Sequence, residues 1–171
     1  MNILETERLL FRQHILADKD AYCAMEMDAD VRRFVGGYPR TREEAEKRFE
    51  GAIIPSDSSL GMWATILKDE QQYIGRCGIY PHFDAEGNPI EGEASLGLYI
   101  AKPYWGNGFA TEAGKGFTDL GFNKLGLSRI VTMVQAGNGA SVRVLEKLGF
   151  QHTSTEEGIR TFYHFVLENA G

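Results

Sequence analysis

The sequence predicts a mixed α/β fold in which helices flank one sheet, with antiparallel strands first and a single strand-helix-strand crossover after them. Three observations carry this expectation. The middle of the chain is dense in strand patterns, a glycine-rich turn after Ile100 leads directly from a strand into a helical pattern, and another strand follows that helix. With 171 residues the chain is long enough to bury roughly two thirds of its unfolded surface. No repeat, low-complexity tract or Pro/Ser-rich linker divides it, so residues 1–171 read as one domain.

The elements follow in order. Glu7 to Arg12 reads as a first strand, Asp18 as the cap of a short helix running to about Met27, and Asp30 to Phe34 as a second helical piece. Thr41-Arg42-Glu43-Glu44 matches a capping box, in which hydroxyl and carboxylate each satisfy an amide of the first turn, and predicts a helix to about Ile54. Gly61 to Leu67, Gln72 to Tyr80 and Glu93 to Ile100 read as three antiparallel strands, separated by the turn Lys68-Asp69-Glu70 and the loop Phe83 to Pro89. After Pro103, Ala110, Ala113, Phe117 and Leu120 share one face of a helix that runs until Leu125. Arg129 to Gln135 is a strand, Ser141 to Leu148 a short helix that Gly149 stops in the left-handed conformation, and Phe150 onward with Arg160 to Leu167 the closing strands.

Composition excludes several classes of function. At 43% hydrophobic and 25% charged residues the chain is too apolar for disorder, and no apolar run approaches the roughly 18 residues a membrane helix needs. A net charge of −6 without a Lys/Arg block argues against a nucleic-acid partner. Met1 to Arg8 has neither a basic start nor an apolar run, so it does not read as a signal peptide and the cytoplasm is the expected compartment. Cys23 and Cys77 match no metal or redox spacing, which predicts free, partly buried thiols and no metal centre. The oligomeric state is not written in the sequence.

The chemistry concentrates in Tyr104-Trp105-Gly106-Asn107-Gly108-Phe109-Ala110-Thr111-Glu112-Ala113. A helix start leaves its first amides unpaired and partly positive, and glycines let an anion approach that backbone, so this segment is built as a phosphate cradle; a tight turn under a close-packed helix is the structural alternative. Gly114, Gly116 and Gly121 weaken the helix by up to about 1 kcal/mol each relative to alanine, which calls for close packing or another compensation. A dinucleotide fingerprint fits poorly, because the next strand ends at Gln135 where an acidic ribose ligand is wanted. A Walker A loop fails on glycine spacing and on Gly116 following Lys115.

Together with the opening Glu5-Thr6-Glu7-Arg8-Leu9-Leu10-Phe11-Arg12 and the late run from Asn138 to Phe150, this central motif resembles the GNAT superfamily of acyl-CoA-dependent N-acetyltransferases, and within it the RimJ/RimL-like branch. The superfamily's Q/R-x-x-G-x-G/A signature aligns with Trp105 to Ala110, Trp105 standing where Gln or Arg is usual. The resemblance implies a GNAT-like central sheet, mostly antiparallel, with a splayed parallel strand pair and helices on both faces. It implies acetyl-CoA as co-substrate and a primary amine as acceptor, at an N-terminal peptide or on a small molecule. Backbone of Leu98, Tyr99 and Ile100 would pair with the pantetheine arm. Trp105, Gly106, Asn107, Gly108, Phe109, Ala110 and Thr111 would surround the pyrophosphate, and Asn138 would bond the arm if it does not simply cap its helix. Ser141 would lie near the thioester unless it too serves the helix start.

No nucleophile-base pair stands out, so attack by the amine is expected to be direct. An amide of the Leu98 to Ile100 strand, Tyr99 included, could steady the developing oxyanion, and Ser141 could donate to the departing thiolate. Glu93 is the candidate base, on the strand face it shares with Ser95, Gly97 and Tyr99; a solvated carboxylate is the plain alternative. His82 and His152 are further basic candidates. Lys102, Arg143 and Lys147 either meet phosphates or stay exposed, and Glu112 reads as structural, complementing the helix dipole. The rival expectation is a GNAT-like module that binds acyl-CoA without turnover. Protein N-termini, amino acids, polyamines and aminoglycosides remain open as acceptors, with the branch pointing to N-terminal amines.

Overall fold

The computed structural model describes residues 1–171. The strands are β1 (Asn2–Glu5), β2 (Leu9–Arg12), β3 (Gly61–Leu67), β4 (Gln72–Phe83), β5 (Pro89–Ile100), β6 (Arg129–Gln135), β7 (Gln151–Glu156) and β8 (Phe162–Glu168). The helices are α1 (Lys19–Met27), α2 (Ala29–Arg32), α3 (Arg42–Ala52), α4 (Phe109–Asp119) and α5 (Gly139–Lys147). All eight strands form one sheet in the order β1-β2-β3-β4-β5-β6-β8-β7, in which β5 and β6 are the parallel neighbours and every other pair is antiparallel. This is the GNAT arrangement, with helices on both faces. No helix is long and apolar enough to cross a membrane.

Each sheet face carries its own core. On one, Phe109, Ala113, Phe117 and Leu120 of the α4 region pack on Phe11, Ile74, Ile79, Leu96 and Ile130, with the Phe117 ring edge-on to Phe11 at 4.8 Å. On the other, Tyr22, Cys23 and Met25 of α1 and Ala45 and Phe49 of α3 cover Ala64, Ile66 and Tyr73. Strand alternation divides β5 between them: Ala94, Leu96 and Ile100 face α4, while Tyr99 faces the α1–α3 side. The glycines of α4 are explained by proximity. A Cβ on Gly114 would sit 2.5 Å from Leu148 Cδ1, and one on Gly116 3.0 Å from Leu4 and Thr6. Helix propensity is given up for close approach to α5 and β1.

Several local expectations change, among them the central hairpin, where β4 runs on to Phe83 and β5 begins at Pro89 rather than Glu93. The four residues of β1 show no periodicity to read, and this strand exists through pairing with β2, which itself begins at Leu9 rather than Glu7. Asp18 precedes α1 but does not cap it, because its carboxylate forks onto the Arg12 guanidinium at 2.8 and 3.0 Å and accepts the Ile15 N–H at 2.9 Å. A bidentate pair with a guanidinium outcompetes single bonds to helix amides. The short helix α2 is capped by Asp28 and starts at Ala29, one residue earlier than the stretch beginning at Asp30. The helix after Pro103 starts at Phe109 and ends as a π-turn over Leu120–Lys124. The Thr41–Glu44 capping box forms, with bonds of 3.2 and 2.9 Å, and Gly149 stops α5 at φ +90°.

Candidate active site

The sheet opens where β5 and β6 part. They pair only from Glu93 with Arg129 to Ser95 with Val131, and the Thr132 hydroxyl, donating to the Leu96 carbonyl at 3.1 Å, closes the vertex. Beyond it β5 stays on β4 out to Ile100, while β6 stays on β8 through Gln135. Successive residues of a strand turn their backbone groups to opposite neighbours, so Leu98 directs its N–H and C=O into the gap as Leu96 does. Ile100 faces the same way, but its carbonyl accepts the Trp105 indole N–H at 2.6 Å. Tyr99 turns its carbonyl against Gly75 of β4. Of the three backbone positions expected to be free, Leu98 turns both its groups to the gap, Ile100 only its N–H, and Tyr99 is turned to β4.

At the mouth of the gap lies the glycine turn. Gly106 and Gly108 adopt φ of +75° and +79°, the left-handed region that a side chain disfavours, and Gly108 is the cap residue of α4 with no side chain to satisfy the first turn. The amides of residues 106–111 make no hydrogen bond within the chain. Asn107 shapes the turn by donating through Nδ2 to the carbonyls of Tyr104 and Trp105 at 3.1 and 3.0 Å. A Cβ at Gly106 would meet nothing within 4 Å, so open space faces this row of donors. A helix N-terminus with unpaired amides attracts an anion through both hydrogen bonding and the dipole.

The cation beside the turn comes from the other end of the chain. Arg8 donates through Nη1 to the Asn107 carbonyl at 2.9 Å, lies 4.4 Å above the Phe109 ring, and holds Nη2 3.5 Å from where a Gly108 Cβ would be. Glu112 fixes it, accepting from Arg8 Nε at 2.7 Å, the Arg8 N–H at 2.7 Å and the Thr6 hydroxyl at 2.8 Å. Burial pushes the Glu112 carboxyl up, but these donors outweigh it and hold it below the usual range. Glu112 is thus a structural anchor through named partners as well as through the dipole. Sequence alone gives Arg8 no role, although it sits within the opening run Glu5 to Arg12. Of the cations that did, Lys102 pairs with Asp30, while Arg143 and Lys147 are exposed on α5.

The remaining candidates are distributed around the vertex. Asn138 caps α5 by accepting the Ser141 N–H at 3.3 Å, and the Ser141 hydroxyl has no partner in the chain. Glu93 is half-buried on the closed side of the vertex, 3.5 Å from Arg129 Nε and 3.9 Å from His82 Nε2; His82 Nδ1 lies 3.3 Å from the Ser95 hydroxyl. About 10 Å of strand separates Glu93 from Leu96, so a proton reaches this carboxylate only by relay. His152 is on β7, the edge strand beyond β8, where it bonds Thr155 at 3.0 Å, well away from the gap. No group of three or more His, Cys, Asp or Glu side chains gathers as a metal site would require.

Comparison with known proteins agrees with this geometry. Residues 8–151 match the family model of the acetyltransferase (GNAT) domain. The chain is 33% identical over 165 residues to the uncharacterized N-acetyltransferase YoaA of Bacillus subtilis, covering 95% of this chain and 88% of that protein. It is 31% identical over 153 residues to the uncharacterized N-acetyltransferase p20 of Bacillus licheniformis, covering 88% and 83%. A GNAT-family acetyltransferase from Bacillus anthracis superposes over 100% of both chains with a TM-score of 0.86 at 22% identity. A spermidine N-acetyltransferase from Vibrio cholerae, solved with CoA and spermine, superposes over 96% of this chain and 98% of that one with a TM-score of 0.77 at 18% identity. A strand pair that splays beside a row of unpaired amides, on a chain matched by the family model from Arg8 through β7's first residue, makes this protein a member of the GNAT family of N-acetyltransferases.

Proposed function

We propose that this chain moves an acetyl group from acetyl-CoA to a primary amine, at a protein N-terminus or on a small molecule, by direct attack of the amine. The observation that carries this reading is the gap after Ser95 and Val131, bordered by the open backbone of Leu98 and ending at the unpaired amides of residues 106–111. The residues fit the co-substrate: the amides and Arg8 suit a diphosphate, Leu98 suits an amide-bearing arm, and Asn138 Nδ2 lies free at the opposite wall. Acetyl-CoA supplies the activated thioester. The Leu98 N–H is placed to donate to oxygen as negative charge develops there, and the Ser141 hydroxyl to donate to the departing sulfur. Glu93 takes the amine's proton through a relay. The Trp105-Gly106-x-Gly108 form favours the RimJ/RimL-like branch, and the buried, unpaired thiols of Cys23 and Cys77 suit a reducing compartment such as the cytoplasm.

Gly108→Val tests the cradle. A β-branched residue disfavours the left-handed conformation and fills the space in front of the amides. Acetyl-CoA affinity measured by calorimetry is expected to fall at least tenfold, about 1.4 kcal/mol, in a protein that remains folded; unchanged affinity would remove the phosphate-cradle argument. Ser141→Ala is expected to lower kcat more than it raises the acetyl-CoA KM. Wild-type kinetics would leave the serine a helix-start residue only.

A further inference from the structure

On the sheet face opposite α4, beside the same gap, lies a cavity of about 360 Å³ lined by Arg32, Arg40, Arg48, Arg76, Tyr80 and Tyr99. Its floor belongs to the reaction face of β5, since a Cβ on Gly97 would strike Met62 Sδ at 2.7 Å and approach Tyr80 at 3.4 Å. The four guanidinium groups share one carboxylate. Glu26, 1% exposed, receives Arg76 Nη2 at 2.5 Å and Arg40 Nε at 2.6 Å, with Arg48 at 3.6 Å and Arg32 at 3.9 Å. One glutamate neutralises one of these charges, so the pocket is strongly positive in a protein whose net charge is −6.

Arg76 is held ready for a ligand. Its guanidinium lies between the rings of Tyr22 and Tyr99, 4.9 and 5.0 Å from their centroids, and the residue is 9% exposed. One edge grips Glu26, while Nη1 is buried with no hydrogen-bond partner. A buried charged donor left unpaired is costly, and an incoming anion relieves it. The like charges are crowded: burial first, then repulsion from Arg40, pulls the Arg32 guanidinium below its usual range. The segment after α2 lines one side of the pocket, with Arg160 donating to the Gly36 carbonyl at 2.8 Å and Phe34 lying near Gly137 just beyond β6.

We propose that this pocket receives an anionic group of the acceptor, so that the substrate is a small amine bearing a carboxylate or a phosphate monoester, as in an α-amino acid, rather than a polyamine. The proposal rests on the acetyl transfer proposed above and specifies its acceptor. Tyr99 and the surface over Gly97 lie on the same face of β5 as the arginines, so an anion held among them keeps the amine of the same small molecule beside the gap. A polycation would meet like charge there.

The test compares kcat/KM, referred to the neutral form of each amine, for an α-amino acid, its carboxamide, phosphoethanolamine and spermidine, alongside calorimetric binding of the N-acetylated amino acid and its neutral amide. At least a tenfold preference for one anionic amine over the carboxamide is expected, and the acid and phosphate arms decide which anion. Arg48→Gln, at a half-exposed side chain whose loss leaves Glu26 with Arg76 and Arg40, should reduce that preference at least threefold without unfolding the protein; Arg76→Lys should erase most of it. Equal or faster turnover of carboxamide or spermidine, with no selective binding of the acetylated acid, would overturn the inference while leaving acetyl transfer intact. Failure to acetylate any amine, with the acetylated acid still bound through Arg48, would instead defeat the proposed function.

Discussion

A peptide with a free N-terminus should be acetylated with a kcat/KM at least a hundredfold above that of its N-blocked, lysine-containing counterpart. The reason lies in the amines. An α-amine with a pKa of about 7.8 is roughly a tenth neutral near pH 7, whereas a lysine-like amine near 10.4 is neutral in less than about one part in a thousand. Deprotonating the lysine therefore demands about 3.5 kcal/mol more, from about 2.6 additional pK units. Little in the site is arranged to meet that demand. Glu93 is engaged by Arg129 at 3.5 Å and stands on the closed side of the vertex. Glu93→Gln run in parallel should slow the α-amine reaction at neutral pH. Faster acetylation of the blocked lysine peptide would refute the preference, and an unimpaired Glu93→Gln enzyme would clear Glu93 of a role in proton removal.

Acidification should destabilise the fold through one buried histidine. His14 is 2% exposed, its Nε2 lies 3.2 Å from the Tyr73 hydroxyl, and its Nδ1 has no partner. Burial, only partly offset by Asp18 and reinforced by Arg76 and Arg12, lowers its pKa from 6.5 to about 4. The unfolded chain thus binds a proton near pH 6.5 that the folded chain refuses until about pH 4. Stability from the neutral ring is present above pH 6.5, declines as the pH falls through that window, and is gone below pH 4. The shift corresponds to about 3 kcal/mol. Urea unfolding at pH 7 and pH 4.5 should show most of this loss, and His14→Phe should flatten the slope between them even though it leaves the Tyr73 hydroxyl without its partner. An equally steep decline in that variant would assign the acid sensitivity to other groups, among them Glu26, whose carboxyl burial raises but Arg76, Arg40 and Arg32 bring below its usual range.

The frame of the site is local in character and was legible for that reason. Strand patterns set β3 and β6 to the residue, alternation on β5 separated the α4 face from the reaction face, and the glycine turn announced unpaired amides at a helix start. What was not legible depends on contacts between distant segments. Arg8 reaches the turn only because Glu112 holds the N-terminal segment, more than a hundred residues away in sequence, against α4. The Ile100 carbonyl is spoken for by Trp105, a hydrogen bond no spacing encodes. Arg32, Arg40, Arg48 and Arg76 look like ordinary surface charges along the chain until α2, the loop before α3, α3 itself and β4 bring them around Glu26. Asp18 shows the same effect in reverse, a good helix cap by sequence that a nearby arginine draws away.

Acetyl transfer through the β5–β6 gap is measured most directly by following free-thiol release from acetyl-CoA together with the intact mass of an α-amino acid or N-terminal peptide acceptor. The account predicts amine-dependent thiol release matched mole for mole by acetylated acceptor, with both lost together in Gly108→Val at subsaturating acetyl-CoA. A protein whose melting temperature rises with acetyl-CoA but which releases no thiol in the presence of any such amine would contradict it, and would leave the chain a binding module on an N-acetyltransferase fold.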